Sequence, residues 1–544
     1  MHFTDVSSFS GLGTVVPCGN PDGAEILEAK GTGLAMIDLE GDGDLDLILP
    51  NGATLANPEQ GPGARVFRND GGLQFVEVTE QAKLAHSRWS FGAAVGDVNG
   101  DGSDDIFFAC FGPDALWLND GKGQFRDATQ RSGLADTEWS TSAAFADFDK
   151  DGDLDLYVTK YLAFDPLHPL PRANFKGIEV MAGPKGYAAT ADSLFENVGQ
   201  GNFVDRSAES GVLAVRPAFG LNVAVLDFTG DGELDIFVGN DSQPNGLLTA
   251  TAPFRFVDEG LRSGVALNGE GIAQATMGIA IADVDANGRP DLFTSNFSSD
   301  VNTLHLNLDG ANFDDRSNQF GIAAPSRPLV GWASGFYDFD LDGDEDLLTV
   351  NGHVYPQAAK ATMDSERMQP PLLMERRGKR FERVDDAGDL PGAAHIDRTA
   401  VFADFDQDGD VDVIVGGIGS PLRVYRNDAV SKASPRSNWI EVMPRDLRAG
   451  IGNRSAVGAV ITARVTSTEA GLPVVQTQRR WLWGGGPFMS NNAPEAHFGF
   501  SDGVQRVDIE VRWPDGFVET REGVPLGARL LWTRRDASPA APEN

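Results

Sequence analysis

The stretch Asp147-Phe148-Asp149-Lys150-Asp151-Gly152-Asp153-Leu154-Asp155 has the form D-x-D-x-D-G-x-x-D, and the pattern occurs seven times. Position 1 is Asp38, Asp97, Asp147, Asp227, Asp283, Asp338 and Asp404; position 9 is Asp46, Asp105, Asp155, Asp235, Asp291, Asp346 and Asp412. Position 5 is Asp42, Asp101, Asp151, Asp231, Asn287, Asp342 and Asp408, and position 6 is always glycine. Position 3 is looser: Glu40, Asn99, Asp149, Thr229, Asp285, Asp340 and Asp406. Side-chain oxygens at positions 1, 3, 5 and 9, with a backbone carbonyl at 7, can wrap one hard cation, and glycine at 6 permits the turn. Calcium, which accepts many oxygens in flexible geometry, suits this loop better than magnesium.

The flanks decide between the protein types that use such a loop. An EF-hand needs a bidentate Glu at position 12 and helices on both sides. Here position 12 is Leu49, Phe108, Val158, Val238, Thr294, Thr349 and Val415, within β-type runs such as Asp155-Leu-Tyr-Val-Thr159. Spacings of 50 to 80 residues also exclude a tandem nonapeptide β-helix. The larger repeat has four strand patterns. A small apolar run such as Ser142-Ala-Ala-Phe-Ala146 precedes the loop and a β run follows it. The third strand ends in Asn in five copies (Asn69, Asn119, Asn197, Asn307, Asn427), and the fourth begins with Phe. Four short strands cannot bury both faces alone, but stacked radially they form propeller blades. Only six fourth strands follow a loop; Phe3-Thr-Asp-Val6 supplies the seventh and is predicted to close the ring.

The expected fold is therefore all-β: a seven-bladed β-propeller with calcium loops over 1–428, a linker at 429–437, a small β domain at 438–535 and a disordered tail at 536–544. A long Pro- and Gly-rich connection runs from Lys160 to Ala191, and Tyr355 to Arg377 is predicted to hold a short helix.

The 544-residue chain has net charge −36, and 32 of its 80 acidic residues lie inside the seven nonapeptides. Such an acidic chain excludes nucleic acid as a partner. Cys18 and Cys110 allow one disulfide at most and are expected to be free thiols. No run approaches the about 20 apolar residues of a membrane-spanning helix. Met1 runs straight into Phe3-Thr-Asp-Val with no secretory signal, so either a signal has been trimmed or the protein is intracellular.

These residues resemble a known architecture. The repeats look like the FG-GAP/VCBS repeats of integrin α-subunit propellers. Asn453-Arg-Ser-Ala-Val-Gly-Ala459, Glu495-Ala-His-Phe-Gly499 and Val511-Arg-Trp-Pro-Asp-Gly516 resemble the ASPIC/UnbV domain. With Asn351-Gly-His-Val-Tyr355, Tyr161 and Gly183-Pro-Lys-Gly186, they point to the cartilage acidic protein family. Relatives often carry cysteines in the long loop, whereas this loop has none. Gly486-Pro-Phe-Met-Ser-Asn491 stands where relatives tend to have an aromatic followed by Ser-Gln, and Phe498-Gly-Phe-Ser501 replaces a Phe-Gly-Leu-Gly turn.

Two functions are weighed. The first is a calcium-binding module for binding or adhesion, extracellular or periplasmic, with a protein, glycan or small-molecule ligand at the propeller mouth. The alternative is an enzyme, extracytoplasmic or cytoplasmic, acting on a small molecule in a pocket at the central mouth opposite the calcium loops. No Gly-x-Ser-x-Gly elbow, His-Glu-x-x-His or phosphate-binding Gly-Lys-Ser/Thr loop favours the latter. Up to seven Ca²⁺ are expected, tightest at Asp147, Asp338 and Asp404 and weakest at Asp227 and Asp283, where Thr229 and Asn287 replace acids. Five residues past each position 9 stand Asn51, Cys110, Lys160, Asn240, Asn296, Asn351 and Gly417, predicted to ring the opposite mouth. Asn51, Lys160, Asn240, Asn296, Asn351 and His353 are the candidate ligand-binding residues, with Trp89, Trp139 and Trp332 leading into the first strands. His353, Lys160, Tyr161 and Asp241 are the candidate catalytic groups.

Overall fold

The computed structural model describes residues 1–13, 15, 18–20, 22–23, 25–50, 52–134, 136–430, 437–469 and 472–536. Asn51, most of the expected linker (431–436) and the tail from 537 lie outside them.

Small residues begin each repeat because the first strands converge on one axis. In the second repeat Ser90–Gly96 pairs antiparallel with Asp105–Cys110, then Ala115–Asn119, then Phe125–Asp127. Among the described residues, seven sheets of this order lie along residues 3–427. In the last, Asp397–Ala403, Asp412–Gly417 and Arg423–Asn427 are joined by Phe3–Asp5, with Phe3 opposite Asn427. The N-terminus therefore supplies the outer strand of the last sheet, as the Phe3 pattern predicts.

Side chains alternate between the two faces of each strand, so each sheet packs on both neighbours. Ala93 meets Ile37 and Ile48 of the sheet before it, whereas Ala94 meets Phe145 and Val158 of the sheet after it. Val401, Phe405 and Ile414 of the last sheet pack on Leu34, Met36 and Leu47 of the first, which closes the circle of a β-propeller. Cys18 and Cys110 are buried free thiols. No helix among the described residues is long and apolar enough to cross a membrane. The one-turn helix Lys360–Met363 falls in the irregular stretch near Tyr355.

The C-terminal region has two sheets of its own. Trp439–Asp446 lies between Ala496–Gly499 and the parallel Ala528–Arg534; Val460–Glu469 lies between Leu472–Trp481 and Arg506–Arg512. Ile440, Ile461, Phe498, Ile509 and Trp532 form its core. One segment of this region leaves that core and joins the propeller. Gly484–Gly485 adds a fifth strand to the fourth propeller sheet, opposite Ala224 and Val225. Beyond it the chain fills the axial channel. Asn222 donates to the carbonyls of Gly486 and Pro487 at 3.1 and 3.2 Å, and Ile279 N–H donates to Pro487 at 3.1 Å. Ala93 N–H donates to Met489 at 3.2 Å, and Leu34 N–H to Ser490 Oγ at 2.9 Å. Asn491 both accepts from and donates to the Met36 backbone, at 2.8 and 2.9 Å. The approach is close: a Cβ on Gly33 would fall 1.7 Å from the Met489 carbonyl oxygen. Backbone groups of the first strands, which have no further sheet neighbour at the axis, thus find partners in this plug.

Candidate functional site

At the loop end, all seven position-6 glycines have φ between 89° and 109°, the left-handed region that glycine enters without strain. The position-1 carboxylate gathers loop amides: Asp338 accepts from Asp342 N–H at 3.0 Å and Gly343 N–H at 2.8 Å. The position-9 carboxylate has a second role. Asp155 accepts from Phe148 N–H at 2.8 Å and from Asn197 N–H at 2.9 Å, joining its loop to the third strand. The strand-ending Asn residues reach the preceding blade: Asn69 donates to Phe405 O (2.9 Å), Asn119 to Leu39 O (3.1 Å) and Asn197 to Val98 O (2.8 Å). Asn307 and Asn427 do the same to Phe228 and Phe339, both at 2.8 Å. The recurrent Asn is a latch between blades.

The donor set fits a cation. Asp147/Asp149/Asp155, Asp283/Asp285/Asp291, Asp338/Asp340/Asp346 and Asp404/Asp406/Asp412 each bring three carboxylate oxygens within 4.8 Å of one another. Asp147 Oδ1, Asp283 Oδ1 and Asp406 Oδ1 are buried and accept no well-formed hydrogen bond. Burial, with the repulsion of neighbouring acids, pushes Asp338 up to about 8, while burial outweighs two amide hydrogen bonds to push Asp155 up to about 9. Positive charge, from a divalent ion or from a neighbouring guanidinium such as Arg479 beside Asp283, would balance these carboxylates.

At the opposite mouth, the candidates do not converge as a ring. Asn240, Asn296 and Asn351 are buried, and their amides donate to following carbonyls: Pro244 at 2.8 Å, Val301 at 3.0 Å and Pro370 at 2.9 Å. They close the turns after the second strands. Cys110 is buried beside Ser90 and His86, and Gly417 ends its strand. Lys160 pairs with Asp136 and Glu138; burial works to lower its ammonium, but these two acids outweigh it and raise it. None of these lines the mouth cavity.

That cavity, about 940 Å³, is built by loops. Its wall carries Phe175, Phe297 and Tyr355, its rim Lys185, Glu270 and Asp300, and its floor Lys30, Asp241, Met277 and Trp332. The long connection folds into the hairpin Ala173–Phe175 and Ile178–Val180, and Lys176 ties it across the mouth to Ser299 Oγ at 2.8 Å and Met363 O at 3.0 Å. Under the floor, Tyr161 O–H donates to Asp241 at 2.6 Å, and Lys30 Nζ lies 3.0 Å from the same oxygen and 4.5 Å from the Tyr161 ring centroid. Burial works to raise the Asp241 carboxyl, but Lys30 and Tyr161 outweigh it and hold it below the usual range. Burial, and then the Asp241 charge, push Tyr161 well above the usual phenol range. His353 stands behind the wall. Its Nδ1 accepts from Tyr355 N–H at 3.0 Å and its Nε2 lies 3.4 Å from Ser298 Oγ. Burial, with Arg398 and Lys176 nearby, lowers it to about 3, so the ring is neutral. Trp89 and Trp139 belong to the core beneath this end. Sequence reading found Tyr161, Asp241 and Trp332 but missed Lys30 and Phe175, which share no repeat position, and Phe297, which holds the same place after position 9 as Tyr161 and Asp241.

Comparison with known proteins agrees with this architecture. The FG-GAP-like repeat family matches residues 38–108, 97–158 and 227–294, and the ASPIC and UnbV family matches 450–539. Cartilage acidic protein 1 of Xenopus tropicalis is 26% identical over 311 residues, 56% of this chain and 43% of that protein. The Homo sapiens protein is 25% identical over 353 residues, covering 61% and 48% respectively. The chain thus spans less than half the length of these relatives. Among solved structures, an Agrocybe aegerita lectin that recognises non-reducing terminal N-acetylglucosamine aligns with a TM-score of 0.40 at 16% identity, covering 74% of this chain and 96% of the lectin. PorZ of Porphyromonas gingivalis aligns at 0.42 and 13%, covering 89% and 58%. The chain carries FG-GAP-like repeats followed by an ASPIC and UnbV domain, and it is similar to cartilage acidic protein 1.

Proposed function

We propose that this FG-GAP-repeat propeller with its C-terminal ASPIC and UnbV domain is a seven-bladed, calcium-stabilised binding module. It works outside the cytoplasm and seats its ligand, a small molecule or a group borne by a glycan or protein, in the mouth cavity. The observation that carries the reading is the asymmetry of the two ends. The plug fills the channel from the loop side, while the other mouth keeps a cavity of about 940 Å³ with an aromatic wall and a charged floor. That volume falls within the range of ligand pockets, and apolar walls with a few placed polar groups are their usual lining. Calcium loops of extracellular modules bind in the roughly 10⁻⁴ to 10⁻³ M range, a level met outside cells, which supports the location.

The enzyme reading draws on the same floor, since a tyrosine, a lysine and a carboxylate meet there. Binding is preferred because each reactive atom is engaged: the Tyr161 proton is held by Asp241, Lys30 by Asp241, and both His353 nitrogens by neighbours. The test is glycan and extracellular-protein arrays in millimolar calcium, probed with wild type and with Ala275→Trp, which puts an indole into the cavity lining. Signal in wild type and loss in the variant at unchanged melting temperature are expected. Full retention in the variant would place the ligand elsewhere.

A further inference from the structure

The seven loops do not carry equal charge. At positions 1, 3, 5 and 9, the loops beginning at Asp38, Asp147, Asp338 and Asp404 each hold four acids. Those beginning at Asp97, Asp227 and Asp283 hold three, because Asn99, Thr229 and Asn287 replace the fourth. The C-terminal domain sits on this face, and its arginines follow the difference. Arg454 Nε lies 3.3 Å from Asp97 Oδ2, Arg479 Nη1 3.5 Å from Asp283 Oδ2 and Arg512 Nη1 3.8 Å from Asp227 Oδ2. All three carboxylates are almost wholly buried, at 2%, 6% and 8% exposure, while the guanidiniums reach in from half-open positions. The position-1 carboxylates of the four-acid loops receive no such arginine, although Arg480 pairs with Glu345, at position 8 of the Asp338 loop, at 3.2 Å. Gly152 O accepts the Gly452 and Asn453 amides, both at 2.8 Å; His497 Nε2 donates to Gly409 O at 3.1 Å; Arg529 donates to Gly43 O at 3.3 Å. In these contacts the domain touches the loop backbone, and among the described residues no arginine ion pair is formed with Asp38, Asp147, Asp338 or Asp404.

We infer that the C-terminal domain supplies three of the seven loops with a resident guanidinium counter-charge in place of a metal ion, so that the protein takes four divalent cations and not seven. A buried carboxylate cluster needs positive charge from some source. A loop with four acids can hold a divalent ion and still be negative. A loop with three acids has less negative charge to offset a divalent ion, and a guanidinium on its position-1 carboxylate adds repulsion to a second cation only a few ångströms away. Arginine suits the role because it stays charged and its planar fork matches a carboxylate. The C-terminal domain is on this account docked partly by the incomplete loops themselves. The inference rests on the calcium reading above, and its test separates the two.

The experiment uses the full chain and Ca²⁺ alone, with bound metal counted by equilibrium dialysis. Wild type should hold four ions. Asn99→Asp, which restores the fourth acid, should still hold four, while Asn99→Asp with Arg454→Gln should hold five. Seven ions in wild type, or five in Asn99→Asp with Arg454 in place, would overturn the inference; so would four in the double variant. No bound ion in wild type would sink the calcium reading and leave the guanidinium role to a second measurement. Melting of Asp227→Asn, Arg512→Gln and the pair in chelator gives that answer. A double variant that melts well above the additive expectation sustains the counter-charge, and strict additivity overturns it.

Discussion

Phe488 sits at the tip of the plug, fully buried, its ring centroid 5.0 Å from that of Trp332 in an edge-on arrangement. Trp332 is stacked on its other contact by the Arg398 guanidinium, 4.1 Å from the indole centroid, and it forms part of the cavity floor. Phe488→Ala removes a ring from a closed site where first strands of several sheets already bond to the plug backbone, so the gap has little room to collapse. A Phe→Ala change of this kind costs about 3–5 kcal/mol. The aromatic pair itself accounts for about 0.5–1.5 kcal/mol of specific attraction beyond area burial. Urea unfolding followed by tryptophan fluorescence reads the result. Because the plug joins the two regions, wild type is expected to unfold propeller and C-terminal domain in one transition. Phe488→Ala should lower the midpoint of that transition by the full amount. Two separate transitions in wild type, with the variant shifting only the C-terminal one, would refute the argument that the plug is an integral part of the propeller core.

Two further outcomes follow from the loops and the wall. Wild type should melt higher in calcium than in chelator, each site contributing about 2.7 kcal/mol at one hundred times its dissociation constant, and Asp338→Asn should narrow the gap; equal melting in both conditions would dismiss cation binding. His353 is held near 3 by burial, against an ordinary value of 6.5, so the unfolded chain takes up its proton first. Its contribution to stability is present above pH 6.5 and is lost as pH falls toward 3, by about 1.4 kcal/mol per pH step. His353→Gln should make the loss of stability across that window shallower, and an unchanged slope would show that the ring is already charged in the fold.

Much of the fold was legible because its signals are local and repeated. The acidic nonapeptide with glycine at 6 announces a turn between two strands, and Phe3-Thr-Asp-Val repeats the fourth-strand phrase, so the closing strand could be placed from sequence. The asparagines at 69, 119, 197, 307 and 427 were visible as a pattern, but their role was not, since the carbonyl each one meets belongs to another blade. The asparagines at 240, 296 and 351 misdirected the reading of the mouth. Equivalence around the ring puts them at one level, but each amide turns to its own loop carbonyl, and that satisfies a buried polar group better than an open mouth does. Apart from Phe297, which follows position 9 as Tyr161 and Asp241 do, the cavity walls come from loops of unequal length, where no period can guide a reader. Nor could the plug be read ahead, because Gly484–Asn491 is short, rich in glycine and paired only with strands more than 80 residues distant in sequence.

The arrangement separates two roles that a metal-dependent binder can combine. None of the residues at positions 1, 3, 5 and 9 of any loop lines the mouth cavity, so a bound cation cannot ligate what the cavity holds. Any dependence of ligand binding on calcium must then pass through the protein, and Trp332 is where such a path narrows, a buried ring touched by the plug tip on one side and backing the cavity floor on the other. A ring of blades latched by asparagine side chains leaves little freedom for graded motion along that path. Calcium should therefore act on binding by keeping the loop end and the plug in place. Loss of ligand affinity on chelation should track loss of folded protein, with the folded fraction binding as tightly as before.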